Sequence, residues 1–458
     1  MATQNHNVSN RVRENIAEAA GLAKLWAVLA NLYHAEKNPT GIVNLGIAEN
    51  ALMYPELLDK LNKIVGLDTP NPLSISREVN PQCLQPVEAA DLPYGANPAG
   101  SQTLRTALAN FMTKNFASLH PVKPEHIVVS SGLTSIAEML AWTLCDEGDG
   151  ILLGRPFYSA FPNDFYARSK VLTVPVSFGD VDQFSEDCVE CYEKAIVDWN
   201  KQQEEQGKKG RIRAMMVVNP HNPLGRCYPP ETLKAIMALC QKHQIHLLSD
   251  EIYALSLYTN PSASDAPGFT SILSLSTSGL IDPSLVHVLY GMSKDFGANG
   301  FRLGAFVSQN NIEVLQGMSA TANFAWPSSM ADKAWAAILN DEEFLGAFIE
   351  TNKKRLGEQY MRCTQILREH GIQFWDQGNA ALFLWLDLRD YLPSDMTPLE
   401  GEKWLSQKLI DEGGVFISRS ETFYGEHPGW FRIVFSLPDA EEGMRRLVKT
   451  LDLQPLKN

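Results

Sequence analysis

Short apolar segments alternate with stretches of helical composition through the middle of this 458-residue chain. The expected strands lie at about 126–130, 150–154, 170–176, 213–218, 245–249, 286–290 and 302–308. Such an alternation predicts an α/β fold, in which a mostly parallel sheet carries helices on both faces. Open sheets of this kind bind their ligands at the ends of the strands. Polar residues that directly follow these segments are therefore candidate site residues.

The composition is consistent with a large core and limits the range of partners. Hydrophobic residues make up 45% of the chain, which is enough for two packed units. With 39 basic and 53 acidic residues, the net charge of −14 argues against nucleic acid or an anionic membrane as a partner. No apolar run has the length of a membrane span, residues 1–11 are polar, and the seven cysteines suggest a reducing compartment. We therefore expect a cytoplasmic protein.

Residues 293–302, with the sequence SKDFGANGFR, carry the strongest chemical signal. Lys294 follows an apolar run, and Arg302 follows eight residues later across a glycine-rich turn. A buried lysine is costly unless its charge is paired or removed, and a Schiff base with an aldehyde cofactor is one reason to place it there. Arg302 would then grip that cofactor's phosphate, and pyridoxal phosphate meets both demands. An isolated Ser-Lys pair would more often be a surface feature.

Three upstream segments supply the partners that this interpretation needs. Asp250 ends the run 245–249, where its carboxylate suits a pyridinium nitrogen, and Tyr253 can offer its phenol to the ring's 3-oxygen. Asn222 lies in the turn NPHNPLG after the run 215–218, and its amide could reach the same oxygen. The turn SSGLT runs into a helix whose N-terminus and Thr134 hydroxyl suit a phosphate. Each segment alone also fits an ordinary turn or helix cap.

As an ordered set, these segments resemble fold-type-I pyridoxal-phosphate enzymes of the aminotransferase class I/II family. The resemblance spans about residues 40–440, and it includes the aromatic pair Phe157-Tyr158 and the segment Trp430-Phe431-Arg432. Within the family, NLGIAEN at 44–50, the NPHNPLG turn and SKDFGANGFR are similar to 1-aminocyclopropane-1-carboxylate (ACC) synthases and their fungal relatives.

The resemblance implies how the cofactor would be held. Lys294 would bind it covalently and move protons, and Asp250 would pair with the pyridine nitrogen. Tyr158 would stack on the ring. Tyr253 and Asn222 would hydrogen-bond the 3-oxygen. The phosphate would be bound by Ser293, Arg302, Thr134 and the backbone of Leu133.

The resemblance also implies a substrate site and a homodimer. Arg432 would bind the α-carboxylate of an amino acid. Glu49 matches the glutamate that ACC synthases use near the substrate's amine and side chain. Tyr94 matches a tyrosine that reaches the phosphate in the neighbouring subunit, so that two subunits would share their active sites.

Two departures from the family pattern concern the phosphate and the substrate. Gly291 stands where the family usually has a phosphate-binding serine, so that Ser293 would compensate or phosphate affinity would be lower. Residues 95–104, which border the expected substrate region, form a longer segment than in plant ACC synthases, and the segment is richer in glycine, proline and serine.

The expected organisation is an arm with part of a small domain (1–94), a large cofactor-binding domain (95–329) and a C-terminal small domain (330–458). An amphipathic helix is predicted over 11–36, and three short strands in the last third. Cys188 and Cys191 have CxxC spacing in a charged, helix-like segment, and we expect no metal there.

The expected activity is chemistry at the α-carbon of an amino acid. The first hypothesis is ACC-synthase-like elimination of a sulfur leaving group, from S-adenosylmethionine or a related S-substituted amino acid, and Glu49 favours it. The alternatives are a class I/II aminotransferase and a C–S lyase of fungal secondary metabolism. A non-catalytic binding protein is disfavoured, because Lys294, Asp250, Tyr253 and Arg432 are all present.

Overall fold

The structure is a computed structural model that describes residues 23–65 and 97–455. Its main sheet consists of β2 (Ile127–Ser130), β3 (Gly150–Gly154), β4 (Leu172–Val176), β5 (Ile212–Val218), β6 (His246–Asp250), β7 (Val286–Gly291) and β8 (Gly304–Val307). The strand order is β2-β8-β7-β6-β5-β3-β4. All neighbours are parallel except β8, which runs antiparallel to both β2 and β7. The predicted α/β class with a mostly parallel sheet is confirmed.

Helices cover both faces of this sheet because its strands are apolar on both sides. Leu152 of β3 packs into one hydrophobic cluster, and its neighbours Ile151 and Leu153 pack into another. The helices are α1 (Ala23–Ala30), α2 (Tyr54–Val65), α3 (Gln102–Asn115), α4 (Leu133–Leu144), α5 (Phe161–Tyr166), α6 (Cys188–Glu205), α7 (Pro230–His243), α8 (Ile312–Thr321), α9 (Ser329–Asn340), α10 (Glu342–Glu369), α11 (Pro398–Asp411) and α12 (Ala440–Thr450). None of the helices in the described ranges is long and apolar enough to cross a membrane.

Of two smaller sheets, one lies within the C-terminal region, and the other joins this region to the segment before α2. Their strands are β1 (Val43–Asn44), β9 (Gln373–Phe374), β10 (Phe383–Asp387), β11 (Val415–Phe416), β12 (Ser418–Arg419) and β13 (Trp430–Val434). The antiparallel order is β12-β13-β10-β9, and β1 pairs with β11 in parallel. The prediction of three strands in the last third was wrong, because two-residue strands show no alternation in the sequence.

The predicted helix over 11–36 ends earlier than expected. Within the described residues it continues only to Ala30, after which His34 and Asn38 exchange backbone hydrogen bonds in a turn. Residues 11–22 lie outside the described residues. The turn is stabilised by Asn38, whose side chain donates to Asn31 and to the backbone of Leu32.

The ends of three neighbouring parallel strands bring the predicted site residues together. Val218 of β5 is in register with Asp250 of β6, which is in register with Leu289 of β7. The chain after each of these positions turns away from the sheet at the same edge. The polar residues at 222, 250, 253 and 293–294 therefore converge there.

Candidate active site

One pocket at this edge collects most of the predicted site residues. It encloses about 180 Å³. Nine of the twelve predicted residues line it, namely Leu133, Thr134, Tyr158, Asn222, Asp250, Tyr253, Ser293, Lys294 and Arg302. Arg432 and Glu49 contact residues of this lining without lining it themselves. Tyr94 lies outside the described residues.

Lys294 is held close to the segment that follows β1. Its ammonium group donates a hydrogen bond of 2.7 Å to the carbonyl oxygen of Ala48. Burial and the positive charge of Arg432 lower the pKa of Lys294 to about 8. About a tenth of this amine is therefore neutral and nucleophilic at pH 7, far more than for an ordinary lysine.

Asp250 ends β6 at the floor of the pocket. One of its carboxylate oxygens accepts a hydrogen bond of 3.2 Å from the backbone N–H of Ile252. Burial raises the pKa of Asp250 to about 7, although Lys294 opposes the rise. A cationic group bound in the pocket would favour the charged carboxylate, as a protonated pyridine nitrogen requires.

Two tyrosines form part of the pocket wall. Tyr253 packs edge-on against Phe383, with ring centroids 5.2 Å apart, and burial raises its pKa well above the ordinary value. Tyr158 packs edge-on against Phe161 at 5.2 Å. Burial and the nearby Asp164 raise the pKa of Tyr158 to about 12. Both phenols therefore stay protonated and can donate hydrogen bonds at neutral pH.

The N-terminus of α4 and the guanidinium of Arg302 meet at one end of the pocket. A Cβ atom on Gly132, which precedes α4 with φ of 88°, would lie 2.6 Å from an Arg302 nitrogen. Only glycine allows this approach. A helix N-terminus and a guanidinium are both positive, so their convergence is favourable when an anion lies between them. The arrangement fits the phosphate of pyridoxal phosphate.

Gly291 leaves no room for the serine that the family usually has there. A Cβ atom at this position would lie 2.8 Å from the carbonyl oxygen of Leu303 and 2.9 Å from a methyl carbon of Leu133. The backbone at Leu303 leads into β8, which pairs with β7, so it cannot move without disturbing the sheet. Ser293 lines the pocket two residues later.

Arg432 is a buried cation between two aromatic rings. Its guanidinium lies 4.6 Å from the ring of Phe383 and 4.5 Å from that of Phe423. It donates to the side-chain oxygen of Asn222 at 3.1 Å and to the carbonyl of Gly46. Its Nε has no hydrogen-bond partner within the described residues. Burial lowers the pKa of Arg432 to about 10, so the side chain remains charged and able to bind a carboxylate.

The segment from Gly46 to Glu49 connects the two basic residues. Gly46 contacts Arg432, and Ala48 contacts Lys294, both through carbonyl oxygens. The carboxylate of Glu49 accepts a hydrogen bond of 3.1 Å from the amide of Asn299. Glu49 also favours the charged form of Lys294. The predicted glutamate is therefore close to the predicted lysine.

A buried glutamate fixes the loop that carries Phe423. Glu402 of α11 is fully buried, and its two oxygens accept hydrogen bonds from the backbone N–H groups of Glu421 and Gly429. Within this loop, the carbonyl of Phe423 accepts a hydrogen bond of 2.9 Å from Phe157. The loop thus places an aromatic ring on Arg432 and contacts the chain just before Tyr158.

Sequence reasoning missed several residues of the site. Phe161, Asp164, Val218, Ile252, Leu289 and Asn299 also line the pocket. Asn299 lies in the SKDFGANGFR segment, so its polar side chain could have been predicted to lie near Lys294. Asp164 lies within a short helix and not at a strand end, so the pattern that located the other residues did not reach it.

Comparison with known proteins identifies the family. Residues 92–451 match the family described as Aminotransferase class I and II, and the chain belongs to it. Similar proteins are 1-aminocyclopropane-1-carboxylate synthase 2 of Cucurbita pepo (32% identity, 89% of this chain and 77% of that protein) and probable aminotransferase sirI of Leptosphaeria maculans (29%, 97% and 98%). Probable aminotransferase tcpI of Claviceps purpurea is 32% identical, over 86% of this chain and 85% of its own length.

Solved structures support the same fold. Aspartate aminotransferase from Thermus thermophilus with maleate has a TM-score of 0.69 at 20% identity and covers 97% of this chain and 98% of its own. Together with the family match, this confirms the predicted fold type and family. The protein is a pyridoxal 5'-phosphate enzyme related to ACC synthases and to fungal probable aminotransferases.

Proposed function

We propose that this enzyme eliminates a sulfur leaving group from an S-substituted amino acid, S-adenosylmethionine or a related compound. The observation that carries the proposal is the position of Glu49, whose carboxylate is held by Asn299 next to Lys294. Bound pyridoxal phosphate would supply an electron sink for the α-carbon of the substrate. The chain must then supply binding, orientation and proton transfer.

Lys294 is the group that removes the α-proton. Its lowered pKa of about 8 suits a base that works near neutral pH. Asp250 would keep the ring nitrogen protonated, and Tyr253 and Asn222 would hydrogen-bond the 3-oxygen. Tyr158 would stack on the ring. The phosphate would be held by Leu133, Thr134, Ser293 and Arg302.

Arg432 binds the α-carboxylate of the substrate. Its guanidinium is already desolvated between Phe383 and Phe423, so less solvent has to be removed when the carboxylate binds. Its Nε, which has no hydrogen-bond partner within the described residues, leaves a donor for that group. A planar guanidinium can bind a carboxylate through two parallel hydrogen bonds.

Elimination needs a carboxylate at Glu49, whereas transamination does not. Elimination requires the side chain to be held so that the leaving group lies out of the ring plane, and a carboxylate can hold a cationic sulfur or the substrate amine there. Transamination only moves a proton between two carbons and has no evident need for this carboxylate. The name of the similar protein from Cucurbita pepo agrees with the elimination.

An aminotransferase is the second candidate. The similar fungal protein sirI, named a probable aminotransferase, aligns over 97% of this chain and 98% of its own length. A C–S lyase of fungal secondary metabolism that acts on cysteine conjugates would use the same residues as the first candidate. Lys294 would serve all three reactions.

Substitution of Glu49 by glutamine distinguishes these candidates. Purified protein is incubated with S-adenosylmethionine, with S-substituted cysteines, or with an amino acid and 2-oxoglutarate, and products are identified by mass spectrometry. Elimination predicts that Glu49→Gln lowers C–S cleavage by ~10²-fold or more, the range of one lost electrostatic group, while slow transamination survives. Equal loss of both activities, or no loss in either, would favour the aminotransferase.

The proposal includes a homodimer with shared sites, for which Tyr94 supplies the expected contact between subunits. It also divides the chain into 1–94, 95–329 and 330–458. Mixing the individually inactive variants Tyr94→Ala and Lys294→Ala should restore part of the activity, because one kind of hybrid site is intact. A mixture that demonstrably exchanges subunits and stays inactive would contradict shared sites.

A further inference from the structure

One acidic residue of the pocket has no part in the proposed chemistry. Tyr158 packs edge-on against Phe161, which lies one helical turn before Asp164, and all three residues line the pocket, so they form one wall of it. Two members of this row are aromatic, and the third is a carboxylate. Asp164 is only 8% exposed.

The Asp164 carboxylate lacks the partners that comparable residues have. Glu251 accepts hydrogen bonds from Ser249, Ser271 and the backbone of Ile272. Asp295 likewise accepts three. Within the described ranges, no hydrogen-bond donor offsets the burial of the Asp164 carboxylate. The carboxylate borders the pocket, so its hydrogen-bond partners are expected there, either solvent or a bound molecule.

No cation is paired with the Asp164 carboxylate among the described residues. Besides Asp164 itself, the titratable or charged groups that line the same pocket are Tyr158, Asp250, Tyr253, Lys294 and Arg302. On α4, which packs against α5, Glu138 is paired with Arg168 at 3.5 Å. Burial alone raises the pKa of Asp164 to about 7. A nearby cation would favour its charged form.

The position favours the cofactor over the substrate as that cation. Asp164 lines the pocket with the residues proposed to hold the cofactor, whereas the substrate residues Arg432 and Glu49 do not line it. After burial, the charge of Asp164 is the next cause of the raised pKa of Tyr158, the residue proposed to cover the ring. A carboxylate on this wall would therefore lie close to a cofactor bound in the pocket.

We propose that Asp164 is a second acidic group directed at the bound cofactor, which acts with Asp250 to favour positively charged forms of the ring system. This inference rests on the proposed function, because it takes the pocket to be the cofactor site. Removing a negative charge close to a protonated group lowers the pKa of that group. Asp164 would therefore set the pH range in which the bound cofactor stays protonated.

The test compares Asp164→Asn with Asp164→Glu, which keeps the charge, and with Asp180→Asn, which removes an exposed carboxylate elsewhere. Each variant is loaded with pyridoxal phosphate, its fold is checked by circular dichroism, and the cofactor's absorption is titrated between pH 5.5 and 9. In Asp164→Asn the midpoint should fall by about one pH unit, a ten-fold change in proton affinity. Asp164→Glu and Asp180→Asn should titrate like the unchanged protein.

The proposal would be overturned if the cofactor absorption of Asp164→Asn and of the unchanged protein titrated with the same midpoint. If Asp164→Asn folds but binds no cofactor, binding by Asp164→Glu supports the charge role, and failure of both variants indicates a purely structural role and overturns it. Borohydride labelling of Lys294 in the unchanged protein is measured alongside. If Lys294 is not labelled, the proposed cofactor chemistry itself has failed, and this result is distinct from a failure of the Asp164 proposal. An effect of Asp164→Asn that appears only after amino acid is added would assign the cation to the substrate and also overturn it.

Discussion

Arg432 donates a hydrogen bond of 3.1 Å to the side chain of Asn222, and this contact joins the C-terminal sheet to the main sheet inside the site. Arg432 lies on β13, and Asn222 follows β5. The residue proposed to bind the substrate thus touches one proposed to bind the cofactor. A carboxylate that takes over the Arg432 donors would change the hydrogen bonding of Asn222 at the same time.

Replacing Arg432 by lysine should weaken amino-acid binding and leave the cofactor spectrum nearly unchanged. Lysine keeps the charge but cannot donate two parallel hydrogen bonds from one plane. The expected loss is ~10–100-fold in affinity, the value of a hydrogen bond to a charged group. Spectral titration with amino acid measures it, and Arg389→Lys, which alters an exposed arginine paired with Asp387, is the control. A variant that loses cofactor but keeps amino-acid affinity would contradict the assignment.

Capture of pyridoxal phosphate by the cofactor-free protein should speed up with pH and level off above about pH 8. Only the neutral Lys294 amine is nucleophilic, and burial with Arg432 lowers its pKa to about 8. The neutral fraction therefore rises as pH increases through that value. Arg432→Gln removes the positive charge and should move the plateau to higher pH. Stopped-flow absorbance gives the rates. A rate that still rises ten-fold per unit above pH 9 would show that this lysine is not perturbed.

Introducing the family's usual serine at position 291 should lower cofactor affinity. The new Cβ would press on the Leu303 carbonyl and on Leu133, which begins α4, the helix proposed to bind the phosphate. The overpacking should cost ~1–3 kcal/mol of unfolding free energy. Cofactor titration and urea unfolding measure the two effects, with Gly268→Ser, where a Cβ meets open space, as control. Tighter cofactor binding by Gly291→Ser would disprove this account.

Acid should destabilise the fold through a pair of buried histidines. His246 and His287 are linked at 2.9 Å, and His287 also contacts Ser308 at 3.0 Å. Burial lowers the pKa of His246 to about 4 and that of His287 well below its ordinary value. The unfolded chain therefore takes up protons that the folded protein does not. The resulting stability is fully present above about pH 6.5 and is lost as the pH falls toward the folded pKa.

Urea unfolding at pH 7.5 and pH 5 measures this loss, which should be roughly 1–2 kcal/mol for His246 alone. His246→Gln should be less stable at pH 7.5 but should lose less stability between the two pH values. His120→Gln, at an exposed position, should behave like the unchanged protein. An equal pH dependence in His246→Gln and the unchanged protein would rule out this source of acid sensitivity.

The sequence predicted the sheet and the pocket lining best where a polar residue follows a buried apolar strand. Asp250 is the clearest case, since the end of β6 both fixes its position and buries it. Lys294 follows the same rule one strand further on. The strand ends gave no information on Asp164, because its position depends on how α5 packs over the pocket.

Packing between distant segments also escaped prediction. The tight fit around Gly291 depends on Leu303 and Leu133, which approach only when β7, β8 and α4 are assembled. The contact of Ala48 with Lys294 joins residues 246 positions apart. The sequence carries no local pattern for such contacts. The end of α1 at Ala30 was missed because the turn that follows is stabilised by Asn38 and not by a helix-breaking residue within it.

The buried glutamate of α11 has a consequence for the range of substrates that such an enzyme can acquire. Glu402 fixes both ends of the loop between Glu421 and Gly429, and Arg155 donates hydrogen bonds to the carbonyl oxygens of Tyr424 and Gly425 within it, so the loop is held largely through its backbone. Exchanges at exposed positions in this loop would then reshape the rim beside the substrate site while Arg432 keeps its aromatic support. Related enzymes could therefore come to prefer different substrate side chains while they still bind the α-carboxylate of an amino acid.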